Sequence, residues 1–381
     1  MTASPVDLAG TRHLELQSMV ALLREQKARA VDVIAGAGAI RAVGGNLVLD
    51  GTEPQLTDAG VTMTAGTYGV NDIAQSGIAD KLGIPTAYLR RMAGECPELY
   101  DENVNTWLAR DPRRFLIRCL RGEAGTGVAR AFLSDRYNRI ENLDVLLAAL
   151  QGIRDSGTPV DIAGCDLSER RMYVRVTSPQ VQVLSPQLLG NYRSPFDGRR
   201  GADLPVISGG FIIANSETGC GAFSVAPWLR FEVCRNGLVV KQNALRRAHL
   251  GAQLTDEDGV IIASAETQRR NLDLITAKTT DAVRSFLDVD YVTRIVRELE
   301  VEAGAEVADP DTTIKLVGQK LRYSDEQQTD ILNHFIRGGD LSAGGIMHAV
   351  TSVAQTLTDA DAAHEMESTA IAALRLAAAA A

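Results

Sequence analysis

Arg114-Phe115-Leu116-Ile117-Arg118-Cys119-Leu120-Arg121, then Gly122-Glu123-Ala124-Gly125-Thr126, then Gly127-Val128-Ala129-Arg130-Ala131-Phe132-Leu133-Ser134-Asp135-Arg136-Tyr137, is the stretch that decides the fold. Two apolar runs flank a short glycine-rich loop, the pattern of a β-hairpin. Downstream, Asn142 to about Ser156 carries Leu143, Val145, Leu146, Leu147 and Leu150 and predicts a helix. Two more strands are expected near 160–165 and 171–177, so the region reads strand–strand–helix–strand–strand. Extended segments resume at Val206–Asn215, Ala222–Ala226 and Trp228–Cys234, and Asn236-Gly237 is the strongest short turn signal before Leu238-Val239-Val240 returns. A long loop near 186–204 holds Arg193, Pro195, Gly198, Arg199, Arg200 and Gly201, and loops of that length are usually functional or mobile. The fold class is α+β, built on a central, mostly antiparallel sheet.

Outward from this core the periodicity changes. Residues 14–36 read as a helix ending in a Gly/Ala turn, and 46–63 as short extended pieces. Ile73, Ile78 and Leu82 suit one helix, Gly83 ends it and Pro85 opens the next. The pair superficially resembles a helix-turn-helix, and a hairpin used for packing is the better reading. After Gly251 helices are expected at 260–287, 290–302, 312–322, 325–337 and from about 345 to Leu376, the fourth opened by the capping box Ser324-Asp325-Glu326-Gln327. The natural divisions are 1–108 (helical hairpin and mixed), 109–250 (Arg-rich β core with one helix), 251–368 (acidic, helical) and 369–381, an Ala-rich tail expected to fray beyond Ala377.

Charge is distributed unevenly. The 381 residues carry a net charge of −9. Residues 1–108 hold 8 basic and 13 acidic residues (−5), 109–250 hold 20 and 13 (+7), and 251–381 hold 11 and 22 (−11). Of the 20 basic residues in the middle, 19 are Arg and one is Lys241. Guanidinium groups match phosphate and stack on bases. Screening over about 8 Å makes a local patch matter more than the net charge.

Alternation sets the strand faces. Phe115, Ile117 and Cys119 oppose Arg114, Leu116, Arg118 and Leu120; Met172, Val174 and Val176 oppose Arg171, Tyr173 and Arg175; Leu229, Phe231 and Val233 oppose Trp228, Arg230 and Glu232. One apolar face and one face of Arg with aromatic rings suits single-stranded nucleic acid. The candidate nucleic-acid-binding residues are Arg114, Arg118, Arg130, Arg136, Tyr137, Arg171, Tyr173, Arg175, Arg199, Arg200, Arg230, Arg235, Asn236 and Lys241. A competing structural role is that the two acidic flanks fold over this surface and turn it into an internal interface.

Other chemistries leave little trace. No Lys follows a Gly, which excludes a phosphate loop, and no His-Glu-x-x-His or Gly-x-Ser-x-Gly occurs. Five widely spaced cysteines without a Cys-x-x-Cys argue for buried thiols. Asp161, Asp166 and Glu169 are the weak candidates for a metal site, and Cys234 with His249 for a nucleophile pair. No catalytic residue, metal or cofactor is assigned. No run of apolar residues is long enough for a membrane span, and Met1 to Asp7 lacks the pattern of a signal peptide, so a cytoplasmic protein of a host cell is expected.

Leu133-Ser134-Asp135-Arg136-Tyr137 with Asn142, Asn215-Ser216-Glu217-Thr218-Gly219, and Arg230 with Cys234-Arg235-Asn236-Gly237 resemble the phage/plasmid-like family known as Domain of Unknown Function 932. His348-Ala349-Val350-Thr351 is similar to that family's C-terminal helix, and Ile84-Pro85-Thr86-Ala87-Tyr88-Leu89 to a segment common upstream. The resemblance spans roughly residues 70–355. It implies a mobile-element setting, where DNA replication, recombination and defence dominate, and it carries over no settled activity. The leading expectation is a non-enzymatic protein that binds or anneals single-stranded DNA and assembles as a homo-oligomer. The alternatives are an interaction protein meeting a host or phage factor through its acidic C-terminal region, and a metal-dependent nucleic-acid-processing enzyme.

Overall fold

The computed structural model describes residues 10–57, 60–122, 126–137, 139–241, 244–247 and 265–381. The Met1–Asp7 segment, the hairpin residues 123–125, His249 and the first residues of the helix expected from 260 lie outside them. The N-terminal part forms β1 (Thr11–Leu14), α1 (Leu16–Arg29), β2 (Ala30–Gly36), β3 (Ile40–Val43), β4 (Asn46–Leu49), β5 (Gln55–Thr57), β6 (Gly60–Thr62), β7 (Gly66–Val70), α2 (Asp72–Leu82), α3 (Thr86–Glu95) and α4 (Pro97–Leu108). The middle forms β8 (Arg114–Arg121), β9 (Thr126–Ser134), α5 (Asn142–Ser156), β10 (Asp161–Leu167), β11 (Met172–Leu184), α6 (Pro186–Leu189), β12 (Val206–Asn215), β13 (Phe223–Phe231), β14 (Gly237–Val239) and β15 (Leu245–Arg247). The C-terminal part is helical: α7 (Ala265–Phe286), α8 (Val289–Ala303), α9 (Pro310–Leu321), α10 (Asp325–Gly338), α11 (Ala343–Thr356) and α12 (Ala360–Ala380).

The fold is α+β, with two large sheets. The first runs β2-β8-β9-β7-β4-β3; β7 and β9 are parallel, and the other neighbours are antiparallel. The second runs β1-β10-β11-β12-β13-β14, with β15 on β13, and is antiparallel throughout. The hairpin β8–β9 therefore does organise the chain, but its partners come from the N-terminal residues. The division near 108 runs between strands of one sheet.

Residues 14–36 are corrected from one helix to a helix and a strand. After Arg29 the apolar period drops from 3.6 to 2: Val31, Val33 and Ala35 are buried in alternation, and Val31 and Val33 pair with Cys119 and Ile117. The helices α2 and α3 pack on this sheet instead of standing free. Ile78, Leu82, Leu89 and Met92 join Phe115, Ile117 and Phe132 in one core. Gly77 lets α2 lie directly on β9, since a Cβ there would sit 2.3 Å from the Phe132 carbonyl oxygen.

The second sheet is covered on both faces. Met172, Val174, Val176, Phe211, Ile213 and Phe231 face the largest core, shared with α5, α7, α8 and α11. Tyr173, Ile212, Ala214, Ala226 and Trp228 face Ala360 at the start of α12. The single helix expected from 345 to 376 is two: Leu357 is extended, and the Asp359 carboxylate caps α12 by accepting from the Ala362 N–H. The alanine tail does not fray at Ala377. It continues α12 to Ala380, and Ala377 is fully buried in the largest core.

Candidate nucleic-acid interface

Most of the predicted arginines fall into three groups, two of which are internal. The first lies where the two sheets meet. Arg118 is 0 % exposed. Its Nε donates to Asp32 Oδ1 at 2.9 Å, its Nη1 to the Glu217 carbonyl at 2.7 Å, and its Nη2 to Glu141. Arg130 is the extra residue of a β-bulge: Cys119 pairs with Ala129 and Arg118 with Ala131. A bulge re-aims its side chain, and here Arg130 turns to Glu217 Oε2 at 2.6 Å. Glu217 Oε1 accepts from the Asn142 backbone N–H at 2.6 Å, Asn215 donates to Asn142 Oδ1 at 2.8 Å, and Tyr137 donates to the Ser216 carbonyl at 3.4 Å. Burial would raise the carboxyls of Asp32 and Glu217, but the guanidinium groups of Arg118 and Arg130 hold both below their ordinary values. Removing such charges from water costs several kcal/mol per ion, and this lattice of donors and acceptors offsets that cost. Arg118 and Tyr137 are thus spent on protein partners, and Arg130 holds Glu217 through Nη1.

The second group lies under α12. Arg175 bonds Asp166 and Glu367, the Tyr173 hydroxyl donates to Asp361 Oδ1 at 2.7 Å, and Lys241 is 3.6 Å from Glu365. Arg171 donates through Nε to the Cys220 carbonyl at 2.9 Å. Burial opposes ionisation of Asp166, yet Arg175, the His13 backbone N–H and Arg12 keep its carboxyl below the usual range. His364 stacks on Tyr173 with ring centres 4.4 Å apart. Burial, then the nearby Arg175, pushes its pKa down to about 3. The expected open Arg/aromatic face of β11 is therefore corrected: acidic α12 closes it with complementary charge. The strand period correctly sorted the two faces but carries no information on what covers them.

The third group is open. Tyr192 anchors the segment after α6 by packing on the buried His348 ring at 4.4 Å, with its hydroxyl 3.2 Å from the Ser352 hydroxyl. Beyond it the chain folds back so that Arg193 bridges to Arg200 and the Ser194 N–H donates to the Arg199 carbonyl at 2.9 Å. The Arg193 N–H donates to the Gly338 carbonyl at 2.8 Å, which brings the C-terminus of α10 and Arg337 alongside. Arg199 pairs with Asp197 and donates to the Glu232 carbonyl at 3.4 Å, beside the turn that carries Arg235. Phe196 is 47 % exposed and meets His334 edge-on at 5.8 Å. Arg193, Arg200, Arg235 and Arg337 are exposed, and none forms an ion pair among the described residues.

The Asn236-Gly237 signal acts differently from a two-residue turn. The left-handed residue is Arg235, at φ 60°. Asn236 is buried, and its amide donates to Ser352 at 2.7 Å and Thr351 at 3.2 Å. It ties β14 to α11 and is not available to a ligand. Arg230 is half-buried at 3.8 Å from Glu232. Arg136 and Arg114 are exposed and without ion pairs among the described residues. Arg114 opens β8 on the other sheet.

Arg193, Phe196 and Arg337 complete the open face and were absent from the sequence-derived set. An aromatic ring inside an Arg/Pro/Gly loop was a visible signal for Phe196. Nothing local marks Arg337, which tertiary packing alone delivers. Among the weaker candidates, Asp166 is committed to Arg175 and Arg12. The Cys234 thiol is buried and pushed up to about 12 by burial, whereas a nucleophilic thiol needs a depressed value. Among the described residues no three His, Cys, Asp or Glu side chains are grouped to hold a metal ion, and no helix is long and apolar enough to cross a membrane. No family model, curated protein or solved structure matches the chain.

Proposed function

We propose that the chain is a non-enzymatic nucleic-acid-binding protein of a phage or mobile element that holds single-stranded DNA in replication or recombination. The observation that carries this reading is that Arg193, Arg200, Arg235 and Arg337 are exposed on segments joined by the Arg193–Arg200 bridge, the Arg193 bond to Gly338 and the Arg199 bond to Glu232, with the Phe196 ring exposed in the same loop. Guanidinium groups without carboxylate partners are free to take phosphates, and a solvent-facing ring offers a base something to stack on. An unpaired base presents its flat face, as a duplex does not, which favours the single strand. Several copies along one strand would give the homo-oligomer expected of an annealing protein.

The test is equilibrium binding of labelled single- and double-stranded DNA over a salt series. Four phosphate contacts on a single strand give a log–log salt slope of about −2.8. Replacing Arg193, Arg200, Arg235 and Arg337 together by Ala should flatten that slope and leave the fold intact. Phe196→Ala should cost roughly 1–3 kcal/mol of single-strand binding. Salt-insensitive binding, or no binding at about 50 mM salt, would sink the reading.

A further inference from the structure

A cleft of about 210 Å³ opens at the junction of the two sheets, at the opposite end of the second sheet from the arginine face. Seven segments meet there, β1 and α1 among them. Asn71 is the N-cap of α2, Arg130 the bulge of β9, and Asn142 opens α5; Glu169 and Arg170 come from the β10–β11 turn, and Glu217 follows β12. Several of these groups have capacity left over. Arg130 is 7 % exposed, and its Nε has no hydrogen-bond partner. The buried Thr11 hydroxyl has none either. Asn142 spends its Oδ1 on Asn215, while its Nδ2 donates to no described residue. Glu169 uses one oxygen on Asn71, at 3.2 Å, and the Arg170 guanidinium is unpaired among the described residues.

Buried polar groups are almost always satisfied, so unmatched donors around one cavity call for a ligand or ordered water. The charges narrow the ligand. Two guanidinium groups, Arg130 and Arg170, face two carboxylates, Glu169 and Glu217, so the lining is neutral and does not select an anion. It offers donors and an acceptor together, and Leu22 and Leu167 add apolar surface to the lining. The volume of about 210 Å³ leaves room for a small polar ring. We infer that this cleft holds a single nucleobase, whether of a free nucleotide or of a strand, with Glu169 and Arg170 reading its hydrogen-bonding edge and Asn142 and Arg130 supplying donors at the closed end. An edge that both donates and accepts is what bases present when unpaired. The inference does not depend on the arginine face.

Titration calorimetry of the full chain with each of the four deoxynucleoside 5′-monophosphates, with and without inorganic phosphate, tests it. Saturable binding of at least one mononucleotide, or of a short homo-oligonucleotide, is expected, and inorganic phosphate should not compete. Glu169 and Arg170 sit in an exposed turn, so Glu169→Gln and Arg170→Ala should retain the wild-type melting temperature. Each should weaken the preferred base tenfold or more. Binding of mononucleotides by a protein that fails to bind strands would support the cleft and remove the arginine-face reading. Binding only of oligonucleotides, weakened by the two substitutions, would support the cleft and assign the base to a strand. Absence of base-dependent binding, competition by inorganic phosphate, or indifference to both substitutions would overturn it.

Discussion

A guanidinium group means opposite things at different addresses in this chain. Arg118 holds Asp32 and Glu141 inside the protein, whereas Arg235 stands on a turn in water. Arg118→Met should therefore cost about 3–5 kcal/mol, because it strands buried carboxylates without a partner. Arg235→Ala should change stability by less than about 0.5 kcal/mol. Urea denaturation of the two variants checks the contrast, and similar losses would contradict it. His364 offers a second residue-level prediction. Its folded pKa, about 3, lies below the unfolded value of 6.5. Between those values the unfolded chain binds the proton and the folded chain does not, so stability rises with pH across that window and is lost as pH falls. The loss should reach up to roughly 1.4 kcal/mol for each pH unit below 6.5. His364→Phe, which keeps a ring against Tyr173, should flatten the stability–pH profile between pH 6 and 4 (roughly the buffered part of that window).

At the level of elements, periodicity was a good guide to existence and a poor one to environment. The helix α5 and the strands β8 and β12 fall where the apolar pattern puts them, at Asn142–Ser156, Arg114–Arg121 and Val206–Asn215. The failures share a cause. The strand β2 was absorbed into a preceding helix because alternation over seven residues is short, and pairing with β8 is what selects it. The α11–α12 break falls at Leu357-Thr358-Asp359, where no Gly or Pro marks a stop and the Asp359 cap is the one local signal. Gly237 is required by packing and not by a turn: a Cβ there would lie 2.2 Å from the Trp228 indole nitrogen. Gly237→Ala should destabilise by about 1–3 kcal/mol, with a red or blue shift of Trp fluorescence as the indole moves. An unperturbed emission maximum would show that the strand edge relaxes around the methyl.

Across the whole molecule, the uneven charge along the chain becomes charge pairing in space. Asp32 of the N-terminal region meets Arg118 and Arg139, and Asp361, Glu365 and Glu367 of α12 meet Tyr173, Lys241 and Arg175. Part of the positive charge of the middle region is thereby held in internal pairs, and part stands on a smaller open face. Buried pairs are screened weakly and exposed ones strongly. Raising salt from about 50 to 200 mM should thus lower single-strand affinity roughly 50-fold, at a slope of about −2.8, while the melting temperature moves little. Equal salt sensitivity of the two would mean that the internal pairs are wet.

The sequence by itself determined the α+β class, the central hairpin, the all-helical C-terminal part and the arginine bias of the middle third, because periodicity and composition are local properties of the chain. It also placed Arg199, Arg200 and Arg235 among the candidates. Only the tertiary structure decided which arginines stay in water. Strand alternation says which side chains share a face, but covering that face depends on helices more than a hundred residues away, as Arg175 under Glu367 illustrates. For the same reason the cleft at Arg130 was illegible: a one-residue bulge and six other separated segments define it, and none of them signals a cavity alone.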